Sequence, residues 1–214
     1  MSPRLDELSL QFAIWTRTVE GLALDVGCGD GVATAAALSR GGRVAAVDPD
    51  RDALRRLCER IPLEQHARLK VIAGKLRDVE FKQGRLTAVH AAYVLHLLDG
   101  EEIESSFRRF FRWLQPGGRL FISALTPAGA YWRHFRAEFA RRLAAGAPWP
   151  GYVKNVSRFT RRDLDDTGAV HLLDERLLRP LLTAAGFSIE TVSEYTVPWD
   201  SEQLCCAITA RCDG

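Results

Sequence analysis

At 214 residues, 47% hydrophobic and 26% charged, the chain has the composition of a single well-buried globular domain. Its formal net charge of +2 is too small to imply a nucleic-acid partner, and no apolar run reaches membrane-spanning length. The five cysteines show no Cys-x-x-Cys or zinc-like spacing and the N-terminus has no apolar signal core, so the expectation is reduced thiols, no metal and a cytoplasmic location.

Leu8, Phe12 and Trp15 recur at helical spacing and predict a leading helix. Leu22 to Val26 is a short apolar run of strand length. Gly27, Cys28, Gly29, Asp30 and Gly31 then form a glycine-rich turn, followed by a helix to Ser39 that stops at Gly41-Gly42. This strand–turn–helix order is the opening of a nucleotide-binding βα unit, with backbone N–H groups presented at a helix N-terminus. A second strand, Val44 to Val47, ends at Asp48 and Pro49. Asp50 caps the next helix, whose buried face is Leu54, Leu57, Cys58 and Ile61. Strands three and four are Leu69 to Ala73 and Leu86 to Ala91.

A short connection, Leu95 to Gly100, leads to a strong helix, Glu101 to Leu114. Gln115-Pro116-Gly117-Gly118 predicts a sharp turn into strand five, Arg119 to Leu125. Ala130 to Leu143 reads as a basic amphipathic helix, with a loop-like stretch from Gly146 to Gly168 behind it. Asp174 caps a helix from Glu175 to Ala185, and two closing strands, Ser188 to Val197 and Leu204 to Arg211, form an antiparallel hairpin at one sheet edge. The alternation implies a parallel sheet with helices on both faces: an α/β, Rossmann-like three-layer sandwich in one domain, 1–214, with a small helical cap inserted at about 126–171.

Ligands of open α/β sheets sit at the carboxyl ends of the strands. Asp48 follows the glycine turn at close to the ~20-residue distance of the ribose-binding acid in the dinucleotide fingerprint. Two details depart from that fingerprint. The glycine pattern is G-x-G-x-G, and Asp25 stands inside strand one. A carboxylate is unhelpful beside a pyrophosphate and suits a ligand with a cationic amino group.

Asp25-Val-Gly-Cys-Gly-Asp-Gly31, Asp48, Tyr93-Val-Leu-His96-Leu-Leu-Asp99 and Leu114-Gln-Pro-Gly-Gly-Arg-Leu-Phe-Ile122, in this order, resemble the class I S-adenosylmethionine-dependent methyltransferases. The resemblance covers Leu22 to Leu125 and extends through Gly186-Phe187 and the closing strands. It implies a seven-stranded, mostly parallel sheet whose antiparallel last strand is inserted beside strand five. It implies S-adenosyl-L-methionine as cofactor and S-adenosyl-L-homocysteine as product. It assigns Asp25, Gly27, Cys28, Gly29 and Gly31 to the methionine end, Asp48 and Pro49 to the ribose, and Leu76 with its neighbours to the adenine. Ala92 and Tyr93 line the pocket. Lys75 departs from the pattern, because lysine cannot accept from the adenine amino group as the acid of many relatives does; backbone groups or Asp78 are the substitutes. Thr87, where strand four often carries aspartate, speaks against a metal-dependent mechanism.

His96 and His171 are the candidate catalytic bases. Tyr131, Trp132, His134, Trp149 and Tyr152 of the cap are candidate acceptor contacts, with a small cap core as the competing role. Arg133, Arg136, Arg141 and Arg142 read as a solvated face. The expected function is methyl transfer to a small-molecule oxygen, nitrogen or carbon acceptor, by a monomer or homodimer without nucleic-acid or membrane partners. A nucleic-acid or protein methyltransferase, and a non-catalytic scaffold with this fold, stay open as alternatives.

Overall fold

A computed structural model describes residues 5–160 and 168–214. Seven strands form one sheet: β1 (Leu22–Val26), β2 (Arg43–Asp48), β3 (Leu69–Ala73), β4 (Leu86–Ala92), β5 (Leu114–Leu125) and, skipping a two-stranded ribbon of β6 (Tyr152–Val153) and β7 (Val170–His171), β8 (Phe187–Val197) and β9 (Asp200–Cys212). Their spatial order is β3-β2-β1-β4-β5-β9-β8. β9 runs antiparallel to both β5 and β8, so the closing hairpin is at the edge and its second strand is inserted beside β5.

Strand alternation sorts the core onto two faces. Leu24, Val26, Ala45, Val47, Val89, Ala91, Ile122 and Ala124 pack under α4 (Gly100–Trp113) and α6 (Glu175–Ala184) through Ile103, Phe107, Phe110, Trp113, Leu178 and Leu182. Ala23, Val44, Ala46, Ala88 and Phe121 pack on the other face under α1 (Glu7–Thr18), α2 (Val32–Ser39) and α3 (Arg51–Arg60). The expected three-layer sandwich is therefore present. The caps form as their residue types dictate: Asp50 accepts from the N–H groups of Asp52 and Ala53, Asp99 and Glu102 make a reciprocal capping box, and Asp174 accepts from Arg176 N.

Two local expectations change. The turn predicted at 115–118 is a register shift within β5: Leu114 already pairs with Leu86, and regular pairing resumes at Ala88 with Arg119. Gly117, at φ 78°, supplies the left-handed residue that this irregularity needs. The helix predicted from Ala130 to Leu143 is broken into a 3-10 turn, Ala130–Trp132, and α5, Arg136–Ala144. The break lets Arg136 reach back to the carbonyls of Pro127, Ala128 and Gly129. Arg141 and Arg142 both pair with Glu138, the one acid of α5, so the basic face is partly compensated within its own helix.

The cap has its own core of Tyr131, Trp132, Phe135, Phe139, Val153, Val156 and Leu172, continuous with Leu125, Val197 and Cys205 of the sheet. The stretch read as loop-like contains β6 and a 3-10 turn, Val156–Arg158; positions 161–167 lie outside the described residues. Among the described residues, no helix is long and apolar enough to cross a membrane.

Candidate functional site

Two cavities open at the carboxyl ends of β1, β2 and β4, and Gly27 and Tyr93 line both. The first, about 430 Å³, is bounded by Asp25, Gly27, Cys28, Val32 and Ala33 of the glycine turn and α2, by His90, Ala92 and Tyr93 of β4 and its end, by Asp6 and Ser9 at the start of α1, and by Pro198 and Trp199 of the β8–β9 turn. The second, about 350 Å³, is bounded by Asp48, Pro49, Gly74, Lys75 and Leu76, and by α4 through Glu102, Ser105, Ser106 and Arg109. Their volumes are those of small-ligand sites.

The glycine turn is held more tightly than its sequence implies. Gly27 N and Cys28 N donate to Val47 O at 2.8 and 3.1 Å, and Gly31 N donates to Cys28 O at 2.9 Å. Gly29 N donates to Asp48 Oδ2 at 2.8 Å. These N–H groups are engaged within the protein and do not form a phosphate cradle, which corrects the expectation of amides presented to a ligand. Gly27, Gly29 and Gly31 all have positive φ, and a Cβ on Gly31 would meet Leu57 Cδ1 at 2.4 Å. A Cβ on Gly29 would meet nothing within 4 Å, so open space borders the backbone there.

Asp48 accepts at both oxygens, from Gly29 N and, at 2.8 Å through Oδ1, from Asp50 N. Each oxygen has a further lone pair, enough for two ribose hydroxyls. Asp25 is buried, with Oδ2 accepting from Thr34 Oγ1 at 2.6 Å and Oδ1 facing His90 Nδ1 at 2.8 Å. His90 Nε2 is 3.1 Å from Ser9 Oγ, and the imidazole is stacked on Phe12 with centroids 4.8 Å apart. Sequence reading missed His90, Ser9, Asp6 and Trp199. The signal for His90 was present: a polar residue within the buried run of β4 needs a partner, and the adjacent strand offers Asp25.

Tyr93 is the one non-glycine residue with positive φ, 56°, among the described residues. This strained position turns the chain out of β4 and brings Tyr93 into the walls of both cavities. Its hydroxyl donates to Tyr195 Oη at 3.2 Å, and its ring is edge-on to Trp199 at 4.6 Å. Burial, with Tyr195 beside it, pushes the Tyr93 hydroxyl pKa up. Burial, reinforced by Asp25 and Asp48, likewise pushes up the Cys28 thiol, which stays protonated and unsuited to nucleophilic attack.

The second cavity carries two carboxylates, Asp48 and Glu102; Glu102 also accepts from Asp99 N and pairs with Arg77, and Asp78 is not among the described lining residues. Leu76 is buried on that wall, and its carbonyl accepts from Arg109.

His96 and His171 lie elsewhere, on two elements that pack together, the 3-10 turn Leu95–Leu97 and β7. Neither is among the described residues lining the two cavities. Burial lowers the His96 pKa to about 4, and His96 Nδ1 has no hydrogen-bond partner among the described residues. His171 Nδ1 faces Leu98 O at 3.2 Å, and burial lowers its pKa as well. Trp149 and Tyr152 stand edge-on to His171. Tyr131 and Trp132 are buried in the cap core, and His134 is exposed. The five candidate acceptor contacts are thus spread over the cap core, its surface and the His171 seam.

A seven-stranded sheet with this strand order and a glycine turn facing a β2 aspartate define a Rossmann-like methyltransferase fold. Residues 23–118 match the family model of a methyltransferase domain. The chain has the fold of the class I S-adenosylmethionine-dependent methyltransferases, and the matched segment is less than half of its length. It is 33% identical over 106 residues to a cypemycin N-terminal methyltransferase from a Streptomyces species, a match covering 49% of this chain and 42% of that relative. The match therefore spans less than half of the relative's length. The fold is similar to that of 1,6-didemethyltoxoflavin-N1-methyltransferase from Burkholderia thailandensis, solved with S-adenosylhomocysteine (TM-score 0.68, 21% identity, 96% of this chain and 79% of that chain). It is also similar to that of the [4+2]-cyclase SpnF (TM-score 0.64, 16% identity, 94% of this chain and 79% of that chain).

The residues present fit S-adenosylmethionine. Asp48 retains acceptor capacity beside a cavity of nucleoside size, open space borders the Gly29 backbone, and Asp25 is a carboxylate on the wall of the adjoining cavity.

Proposed function

We propose that this protein transfers a methyl group from S-adenosylmethionine to a small-molecule acceptor. The observation that carries the reading is the pair of adjacent cavities that share Gly27 and Tyr93 in their walls, one lined by Asp48 and the other by Asp25. Asp48 would hold the ribose hydroxyls, Leu76 would cover the adenine, and Asp25 with the backbone around Gly29 would hold the methionine end. When bound, the cofactor supplies a methyl group already activated on a sulfonium, so the chain's own task is placement. Tyr93 and Trp199 give the first cavity an aromatic wall. The first cavity continues past Cys28 toward Asp6 and Ser9, which gives an acceptor a place next to the methionine end.

The fold is also compatible with chemistry other than methyl transfer, as the likeness to a [4+2]-cyclase illustrates. Calorimetric titration with S-adenosylmethionine and S-adenosylhomocysteine tests the reading. Saturable one-to-one binding of both is expected, with a melting temperature that rises with ligand. Absence of binding by either overturns it.

A further inference from the structure

We infer that the acceptor is an amine, recognised in the first cavity by Asp6 and an aromatic corner, and relieved of its proton through Ser9 and His90. The inference rests on the proposed methyl transfer and adds the substrate class. Its basis is a one-sided hydrogen-bond inventory. Asp25 Oδ1, which accepts as its Oδ2 does from Thr34 Oγ1, is 2.8 Å from His90 Nδ1, and the tautomer we assign has Nδ1 donating to it. Nε2 then has only a lone pair, and Ser9 Oγ, 3.1 Å away, donates to it. With its proton so directed, Ser9 offers only lone pairs to the cavity that it lines.

Asp6 adds a second acceptor on the same wall. Its Oδ1 caps α1 by accepting from Ser9 N at 2.7 Å, and a carboxylate has capacity for further donors. Among the described residues lining this cavity there is no Lys or Arg, whereas the second cavity has Lys75, Arg77 and Arg109. Trp199 is 59% exposed, yet its ring is set edge-on to Tyr93 at the cavity wall, an arrangement that suits a cation. An alcohol acceptor would not need the anion, and a carboxylate acceptor would be repelled by it.

An amine arrives as an ammonium and has no nucleophilic lone pair until one proton leaves. That proton passes to Ser9 Oγ as the Ser9 proton passes to His90 Nε2. The product is a neutral amine and an imidazolium paired with Asp25 in a setting where all three side chains are buried. Ser9 is the group that touches the acceptor; His90 and Asp25 act through it.

The test uses the full-length protein saturated with S-adenosylhomocysteine, titrated with benzylamine, benzyl alcohol and benzoate. Benzylamine is expected to bind at least about tenfold more tightly than either analogue. Asp6→Asn, which preserves a capping side chain, is expected to erase that preference while S-adenosylhomocysteine affinity holds. Nitrogen NMR of labelled protein is expected to show a His90 protonated at Nδ1 and bare at Nε2, with Nε2 shifting on benzylamine binding in the wild type and not in Ser9→Ala. Equal binding of the three probes, binding of none, or a preference that survives Asp6→Asn overturns the inference while leaving methyl transfer intact. Failure of S-adenosylhomocysteine to bind the wild type overturns both.

Discussion

His90 Nδ1 is 2.8 Å from Asp25 Oδ1, and both side chains are almost wholly buried between β1, β4 and α1. A buried carboxylate needs that partner, because removing one member leaves a desolvated charge. His90→Leu is expected to lower unfolding free energy by about 3 kcal/mol. His90→Asn, whose amide can still donate toward Asp25, is expected to cost clearly less. Urea denaturation of both variants measures the difference. Equal losses would mean that Phe12 stacking, not the hydrogen bond to Asp25, holds His90 in place.

Asp48 joins two functions that the sequence shows as one. Its oxygens fix the glycine turn through Gly29 N and start α3 through Asp50 N. Asp48→Ala is therefore expected to lower stability by about 2 kcal/mol and to weaken S-adenosylhomocysteine by roughly 10- to 100-fold. Thermal melts and calorimetry separate the two effects. An unchanged affinity would remove Asp48 from the ribose site even if the protein became less stable.

The sheet was legible because its strands are short apolar runs bounded by Gly, Pro or Asp, and its helices repeat apolar residues every three or four positions. Leu22 to Val26 and Leu69 to Ala73 match the structure at both ends. The 130–143 region was less legible, because aromatic spacing alone does not reveal that Arg136 folds back onto three carbonyls. The first cavity was the least legible part. Its wall is assembled from Asp6, His90 and Trp199, far apart in sequence, and only the β1–β4 register and α1 packing bring them together. The apparent offer of free amides in the glycine turn failed for a similar reason: β2 and Asp48, both downstream, engage them.

His96 makes the protein acid-sensitive. Burial lowers its pKa from the ordinary 6.5 to about 4, so the unfolded chain binds more protons between those values. Stability is accordingly full above pH 6.5 and falls as pH drops toward 4, by roughly 3 kcal/mol from this group. His171, with its pKa also lowered by burial, acts in the same direction. Denaturation midpoints measured from pH 7.5 to 4 are expected to fall less steeply in His96→Gln than in the wild type. An identical pH slope would show that His96 is already protonated in the folded protein at mild acidity.

Gly100 and Trp149 lock the cap onto the start of α4. A Cβ at Gly100 would lie 1.9 Å from Trp149 Cε2, so the indole must leave its position if alanine is introduced. The displaced ring is the one that stands edge-on to His171, with centroids 5.0 Å apart. Gly100→Ala is expected to cost about 2 kcal/mol, an overpacking effect. Trp149→Ala alone is expected to destabilise by loss of buried area, and the double variant to be less harmed than the two losses added. Neither residue is among those lining the two cavities, so S-adenosylhomocysteine affinity is expected to hold within about twofold, less than 0.5 kcal/mol. Strict additivity in the double-mutant cycle would show that the indole yields to the new methyl without strain. A large loss of cofactor affinity would tie the cap seam to the binding cleft, and with it the histidines that pack there.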